Sequence, residues 1–206
     1  MIHSLQFYSP SITTSADAMT AIGNNNYAAD TLLADATWCN AICNSEYFES
    51  VLNAKVPVMT SDTTPSGVAS ASSVGTPWSV GAYGAFNGLS GNTDQWHSAQ
   101  GSGVGEWIDY EFDSPVSIHF VEIKNKTTSG SVWAITSFKI QASNDGVAYA
   151  DESNEIQNTN TSMGAETSYP LTRNVVMKNH WRLYVTGAQG AYICLNTLQL
   201  YGRKDV

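Results

Sequence analysis

The sequence predicts a mainly β protein, a sandwich or barrel preceded by a short helical segment, from three observations. From Val56 onward, short runs of alternating apolar and polar residues are separated by clusters of Gly, Ser, Asn and Thr. Charged residues make up only 13% of the chain, which suits a turn-rich sheet protein better than a helical bundle. Residues 15–54 instead repeat every ten residues with helix-capping residues in register. At 206 residues the chain accommodates one domain plus a short appendage.

The first fourteen residues carry no pattern and read as an arm over 1–14. Met1 to Pro10 has neither a basic n-region nor an apolar h-region, so no signal peptide is expected and synthesis in a host cytoplasm is. No run reaches the roughly 18 apolar residues of a membrane-spanning helix, so no membrane insertion is expected.

The units at 15–55 are SADAMTAIGN, NNYAADTLLA, DATWCNAICN and SEYFESVLNA. Each opens on a good N-cap, Ser15, Asn25, Asp35 and Ser45, whose side-chain oxygen accepts an orphan main-chain N–H. The fourth and eighth positions (Ala18, Ala28, Trp38, Phe48; Ile22, Leu32, Ile42, Leu52) share a helix face. Four capped two-turn helices are predicted, too short to stand alone, so they stack on each other or on copies from other chains. The units, SADAMTAIGN above all, resemble the Ala/Ser-rich ten-residue repeats of tailed-bacteriophage tail-fibre and virion proteins. That resemblance implies a virion location, other virion proteins as partners, and a homo-oligomer, a trimer, or a segment docked on the particle.

In the β region, over 56–206, the clearest strands are predicted at 105–112, 117–124, 137–142, 181–185 and 193–201. In EWIDYEF the residues Ile108, Tyr110 and Phe112 alternate with Trp107, Asp109 and Glu111. Asn144-Asp145-Gly146 then supplies the positive φ of a tight hairpin. The block order VPVMTSDTTPSGVASASS, AFNGLSGNTDQWHS, GEWIDYEFDSPVSIHFVEI, FKIQASNDGVAY, HWRLYVTG and LNTLQLYGR resembles the discoidin family, also called coagulation factor five/eight type C, and its galactose-binding-like carbohydrate-binding relatives. The resemblance implies a discoidin-like jelly-roll β-sandwich, with Trp96 and Trp107 in the core and Arg182 buried or half-buried. Many relatives carry a structural calcium held by an Asp, a Thr or Ser, carbonyls and a C-terminal Glu. Asn87, Thr93 and Asp94 are the matching candidates here, but Asn87 stands for the Asp and Thr197 and Gln199 for the Glu. Calcium loses affinity as carboxylates are removed, and no other cofactor is expected.

A formal net charge of -9 with no Lys/Arg run excludes nucleic acid and an anionic membrane surface as expected partners. Cys39 and Cys43 lie four apart without a nearby His, so they read as small core residues, as does Cys194. No nucleophile elbow or zinc motif occurs, and His3, His97, His119 and His180 are scattered. His119 reads as an outward strand position. Asp109 and Glu111 share a strand face at a spacing compatible with glycoside hydrolysis, yet the same pattern describes an ordinary solvent face. A non-enzyme is expected.

Sugar sites need an aromatic face with hydrogen-bonding groups around it. Aromatics outside the strand patterns are the candidates: Trp133 first, then Trp78, Tyr83, Tyr149 and Tyr192, with His97, Asn125, Asn87 and Lys126 as polar companions. The functional expectation is a bacteriophage virion component, tail fibre or tail-associated, whose sandwich binds a host-surface glycan. The alternatives are a purely structural virion protein (collar, decoration or head fibre) and a free bacterial lectin.

Overall fold

The structure, a computed structural model, describes residues 13–91, 93–99, 101, 103–127, 133–172 and 175–204. Three helices, α1 (Ala16–Gly23), α2 (Asn26–Leu33) and α3 (Ala36–Cys43), precede a 3-10 turn at Phe48–Ser50. Ten strands follow: β1 (Ala54–Lys55), β2 (Val68–Ala71), β3 (Trp96–His97), β4 (Trp107–Asn125), β5 (Ile135–Ser143), β6 (Ala150–Asp151), β7 (Ile156–Gln157), β8 (Glu166–Pro170), β9 (Lys178–Ala188) and β10 (Cys194–Arg203).

The strands predicted at 105–112 and 117–124 are one strand, β4, which runs through both layers of the sandwich. Its first part pairs with β2 and β9, and β5 lies beyond β9, carrying β6 and β7. Its second part pairs with β8 and β10, and β10 carries β1 and β3. The ladder to β9 breaks between Glu111 and Val116, where Asp113, Ser114 and Pro115 are exposed. Proline has no N–H to donate, so it suits this crossing between layers.

Two-residue alternation sends Ile108, Tyr110, Phe138, Ile140 and Leu183 inward from one layer and Ile118, Ile123, Leu195, Leu198 and Leu200 from the other. Trp96 and Trp181 are wholly buried between them. Trp107 is not in that core. It lies on the outer face, its ring 5.4 Å from the half-buried Arg182 guanidinium. His119 is not outward either. β10 pairs Tyr201 with Phe120 and Gly202 with Ile118, which makes His119 the extra residue of a bulge. It is buried, with Nε2 3.0 Å from Ser117 Oγ. The hairpin after β5 is longer than the tight turn expected: β6 begins at Ala150, and Gly146, at φ 68°, sits within the loop.

Three of the four repeat units are α-helices. Ser15 accepts the N–H of Ala18, Asn25 that of Ala28, and Asp35 those of Thr37 and Trp38. The deepest positions are the fifth and eighth of each unit, Met19/Ile22, Ala29/Leu32 and Cys39/Ile42, with the ninth beside them; the fourth is only half-buried. The fourth unit departs because Glu49 and Asn53 fall where the others bury a side chain. Its Ser45 accepts from Tyr47 N at 3.2 Å, and the chain turns as a 3-10 helix.

The helices bury their stripe on their own sandwich, in a cluster that includes Phe120. Phe48 meets Phe120 and Tyr201 edge-on, with centroids 5.4 and 4.9 Å away. Arg203, 2% exposed, reaches from β10 into the helical layer. It donates to Val51 O at 2.5 Å, Asn26 Oδ1 at 2.7 Å and Gly23 O at 3.3 Å, and Nε lies 3.5 Å from Asp30. Of the arm expected at 1–14, Thr13 and Thr14 alone fall among the described residues; Thr13 O accepts the Ser45 hydroxyl.

Candidate functional site

One end of the sandwich gathers four connecting segments into a rim. Gly75 N donates to His97 O at 2.7 Å, which ties the loop at 74–80 to β3. Ser98 N donates to Ile193 O, and Ile193 N returns a bond to Ser98 Oγ, each at 2.9 Å, which ties β3 to the segment entering β10. Cys194 N donates to Trp133 O at 2.9 Å and adds the end of the segment at 126–133. Apart from the Ser98 hydroxyl, these bonds run between main-chain groups and need no particular side chains, so loop residues here are free to serve another purpose.

Three rings cluster on this rim. Trp133 and Tyr192 lie 4.8 Å apart, and the His97 ring sits 5.3 Å from Trp133 and 4.9 Å from Tyr192. Trp133 and Tyr192 are partly exposed, whereas His97 is 1% exposed and supports both. His97 Nδ1 lies 2.7 Å from Ser98 O, so its proton sits there; Nε2 has no hydrogen-bond partner among the described residues. Burial holds the imidazole below its ordinary pKa, so the ring is neutral at neutral pH. Lys126 places its ammonium 4.4 Å from the Trp133 ring centroid, a cation on the ring's negative face. An aromatic pair, a supporting imidazole and one cation form a patch suited to the apolar face and hydroxyls of a sugar ring.

The other sequence candidates stand outside the ring cluster. Trp78, 54% exposed, stands on the loop at 74–80 that meets β3 at the rim. Asn125 is buried below the rim and spends its amide on Asn160 O (2.8 Å) and Ser162 O (3.1 Å). Tyr83 is half-buried in the 3-10 turn Ala82–Ala85 and packs on the main core, with its N–H on Asp62 Oδ1 at 2.8 Å. Tyr149 covers the outer face of the β4–β9–β5 layer, where its hydroxyl donates to Asp109 Oδ1 at 2.9 Å and its ring lies 3.7 Å from the Arg182 guanidinium.

That face is not the open solvent face expected. Asp109 is 2% exposed beneath Tyr149 and His180, while Glu111 is half-buried. Burial raises the Asp109 carboxyl above its ordinary value despite the hydrogen bonds from Tyr149 and His180. Asp109 and Glu111 therefore do not form an accessible carboxylate pair.

The loop with the calcium candidates is closed by protein donors. Asn87 Oδ1 accepts from Leu89 N at 2.9 Å within its own turn. The buried Asn196 donates Nδ2 to Asp94 O (3.1 Å) and Gly91 O (3.3 Å), and its Oδ1 accepts Thr127 N at 2.7 Å. Thr93 is exposed, and Asp94 supplies the single carboxylate among these candidates. Among the described residues no group of three or more His, Cys, Asp or Glu is placed to hold a metal ion. One carboxylate, with its carbonyl neighbours already bonded, does not fit calcium's need for several charged oxygens. Sequence reasoning passed over Asn196; its neighbours Leu195 and Leu198 read simply as strand.

The described residues form a β-sandwich with an aromatic patch among the loops at one end. The model of the F5/8 type C domain matches residues 68–197, and the chain belongs to that family. No curated protein matches the chain. Among solved structures, the family 32 carbohydrate-binding module of Clostridium perfringens NanJ, in complex with galactose, superposes with a TM-score of 0.54 at 16% identity, over 72% of this chain and 99% of that one. A module of C. perfringens GH89, in complex with GalNAc-β-1,3-galactose, gives 0.52 at 21% identity, over 66% and 94%. The module of AlyQ, in complex with 4,5-unsaturated mannuronic acid, gives 0.51 at 15% identity, over 69% and 97%. At these identities the likeness is one of fold.

Proposed function

We propose that this chain is a non-catalytic glycan-reading module, with sugar rings held at the rim by Trp133 and Tyr192. One observation carries the reading: three segments distant in sequence bring Trp133 and Lys126, Tyr192, and His97 to one end of the sandwich. Modules of the same fold in complex with galactose, GalNAc-β-1,3-galactose and mannuronic acid support it by analogy. The burial of Asp109 speaks for binding over hydrolysis. The ten-residue repeat favours a place on a bacteriophage virion, with the rim turned to a host-surface glycan and several copies on one particle compensating for weak single sites.

The test is a bacterial glycan array probed with the full chain and with Trp133→Ala. Specific binding that the variant loses supports the reading. A blank across the array contradicts it and favours a structural virion protein, for which the exposed Val74, Trp78 and Val80 on one loop offer an apolar contact.

A further inference from the structure

We propose that the rim takes a sugar bearing a carboxylate, with Lys126 as its charge partner. This rests on the reading of the rim as a glycan site and names the class of sugar.

Lys126 is 8% exposed, yet its ammonium makes no hydrogen bond and no ion pair with any described residue. Four other cations of the chain are paired with carboxylates: Lys55 with Glu49 at 2.7 Å, Lys139 with Asp151 at 2.6 Å, Lys124 with Glu166 at 3.7 Å and Arg203 with Asp30 at 3.5 Å. A largely buried lysine whose ammonium meets an aromatic face and no carboxylate among the described residues carries a charge without a counter-ion, an arrangement that an incoming anion improves.

The surrounding sequence supplies no such anion. The stretches at 74–80, 97–105, 126–133 and 188–192 contain no Asp or Glu, in a chain whose net charge is -9. The flanking Glu106 is committed, its carboxylate accepting the hydroxyls of Ser72 and Ser73. Asp94 lies over Gly91 in the neighbouring loop. In an acidic protein, a rim whose described residues carry no carboxylate beside a lysine that lacks an ion-pair partner among them presents a local field for an anion. The Trp133 and Tyr192 rings beside the ammonium want the apolar face of a ring. A carboxylated pyranose, uronate or ulosonate, meets both demands, and its carboxylate gains charge-assisted hydrogen bonds that a neutral sugar's hydroxyls do not match.

The experiment titrates the full chain calorimetrically with two pairs of probes: a mannuronate trisaccharide against its carboxyl-reduced form, and sialyllactose against lactose. The four titrations are repeated on Lys126→Gln and Lys126→Arg, each first checked for an unchanged melting midpoint. The expected result is at least tenfold tighter binding of one acidic probe over its neutral partner, a preference abolished in Lys126→Gln and kept in Lys126→Arg. The pair that discriminates tells uronate from ulosonate. If neutral probes bind as tightly as acidic ones, or Lys126→Gln keeps the preference, the proposal is overturned and the glycan reading stands. If none of the four binds the native chain, both fall.

Discussion

Asp145 shows how much one loop residue does. Its carboxylate accepts the N–H groups of Ala148 and Val147, each at 2.9 Å, and the Ser143 hydroxyl at 2.8 Å, and these bonds hold its pKa down at about 2. The unfolded value is about 4, so this contribution to stability is present above that pH and lost as pH falls to about 2. Asp145→Ala is expected to flatten the acid limb of a melting-temperature profile between those values; an unchanged limb would show that the turn holds without the charge. The hairpin signal Asn144-Asp145-Gly146 was legible in sequence, and so was the candidacy of Trp133, Tyr192 and His97, because aromatics among Gly and Ser have no strand pattern to claim them. Asn125 and Tyr149 were misplaced for a physical reason: their partners, Asn160 and Ser162 for one, Asp109 and Arg182 for the other, lie far away along the chain.

Two joints hold the elements together. Arg203 ties β10 to the helical layer, and its loss leaves the carbonyls of Gly23 and Val51 facing a void. Arg203→Ala is expected to cost roughly 3 kcal/mol. Limited proteolysis should then cut within the helices while the sandwich persists. Lys at this position does not restore the joint, since one ammonium does not replace a fork that reaches three acceptors. A helical layer as resistant as in the native chain would remove Arg203 from this role. Asn196 is the second joint, linking the loop around Gly91 to Thr127 and so to the segment that carries Lys126 and Trp133. Since the amide occupies those carbonyls, chelator or millimolar calcium is expected to leave the melting midpoint unmoved, and Asn196→Ala to lower stability by about 1–3 kcal/mol. A rise in midpoint with calcium would contradict this. Capping residues made α1, α2 and α3 visible in advance. The continuity of β4 was not visible, because the exposed Asp-Ser-Pro at its bend reads as a loop.

For the whole molecule, the trimer was expected from the resemblance of the repeat to virion proteins, and the short helices called for cover by each other or by copies from other chains. The chain covers them itself, through Phe120, Tyr201 and Arg203. Light scattering on the intact chain is therefore expected to give a monomer mass; a trimer mass would place the oligomer contact on a surface other than the helical stripe. The central claim, a glycan site at the rim, is tested most directly by following the indole N–H signals of the six tryptophans by NMR, assigned through single Trp→Phe variants. The probes are the mannuronate trisaccharide and lactose. Trp96 and Trp181 serve as internal controls, their indoles bonded within the core to Ser73 O at 2.9 Å and Val116 O at 3.1 Å. The expected result is a saturable shift of the Trp133 signal with both controls still. Saturable binding that moves Trp107 on the sheet face and leaves Trp133 unmoved would contradict it.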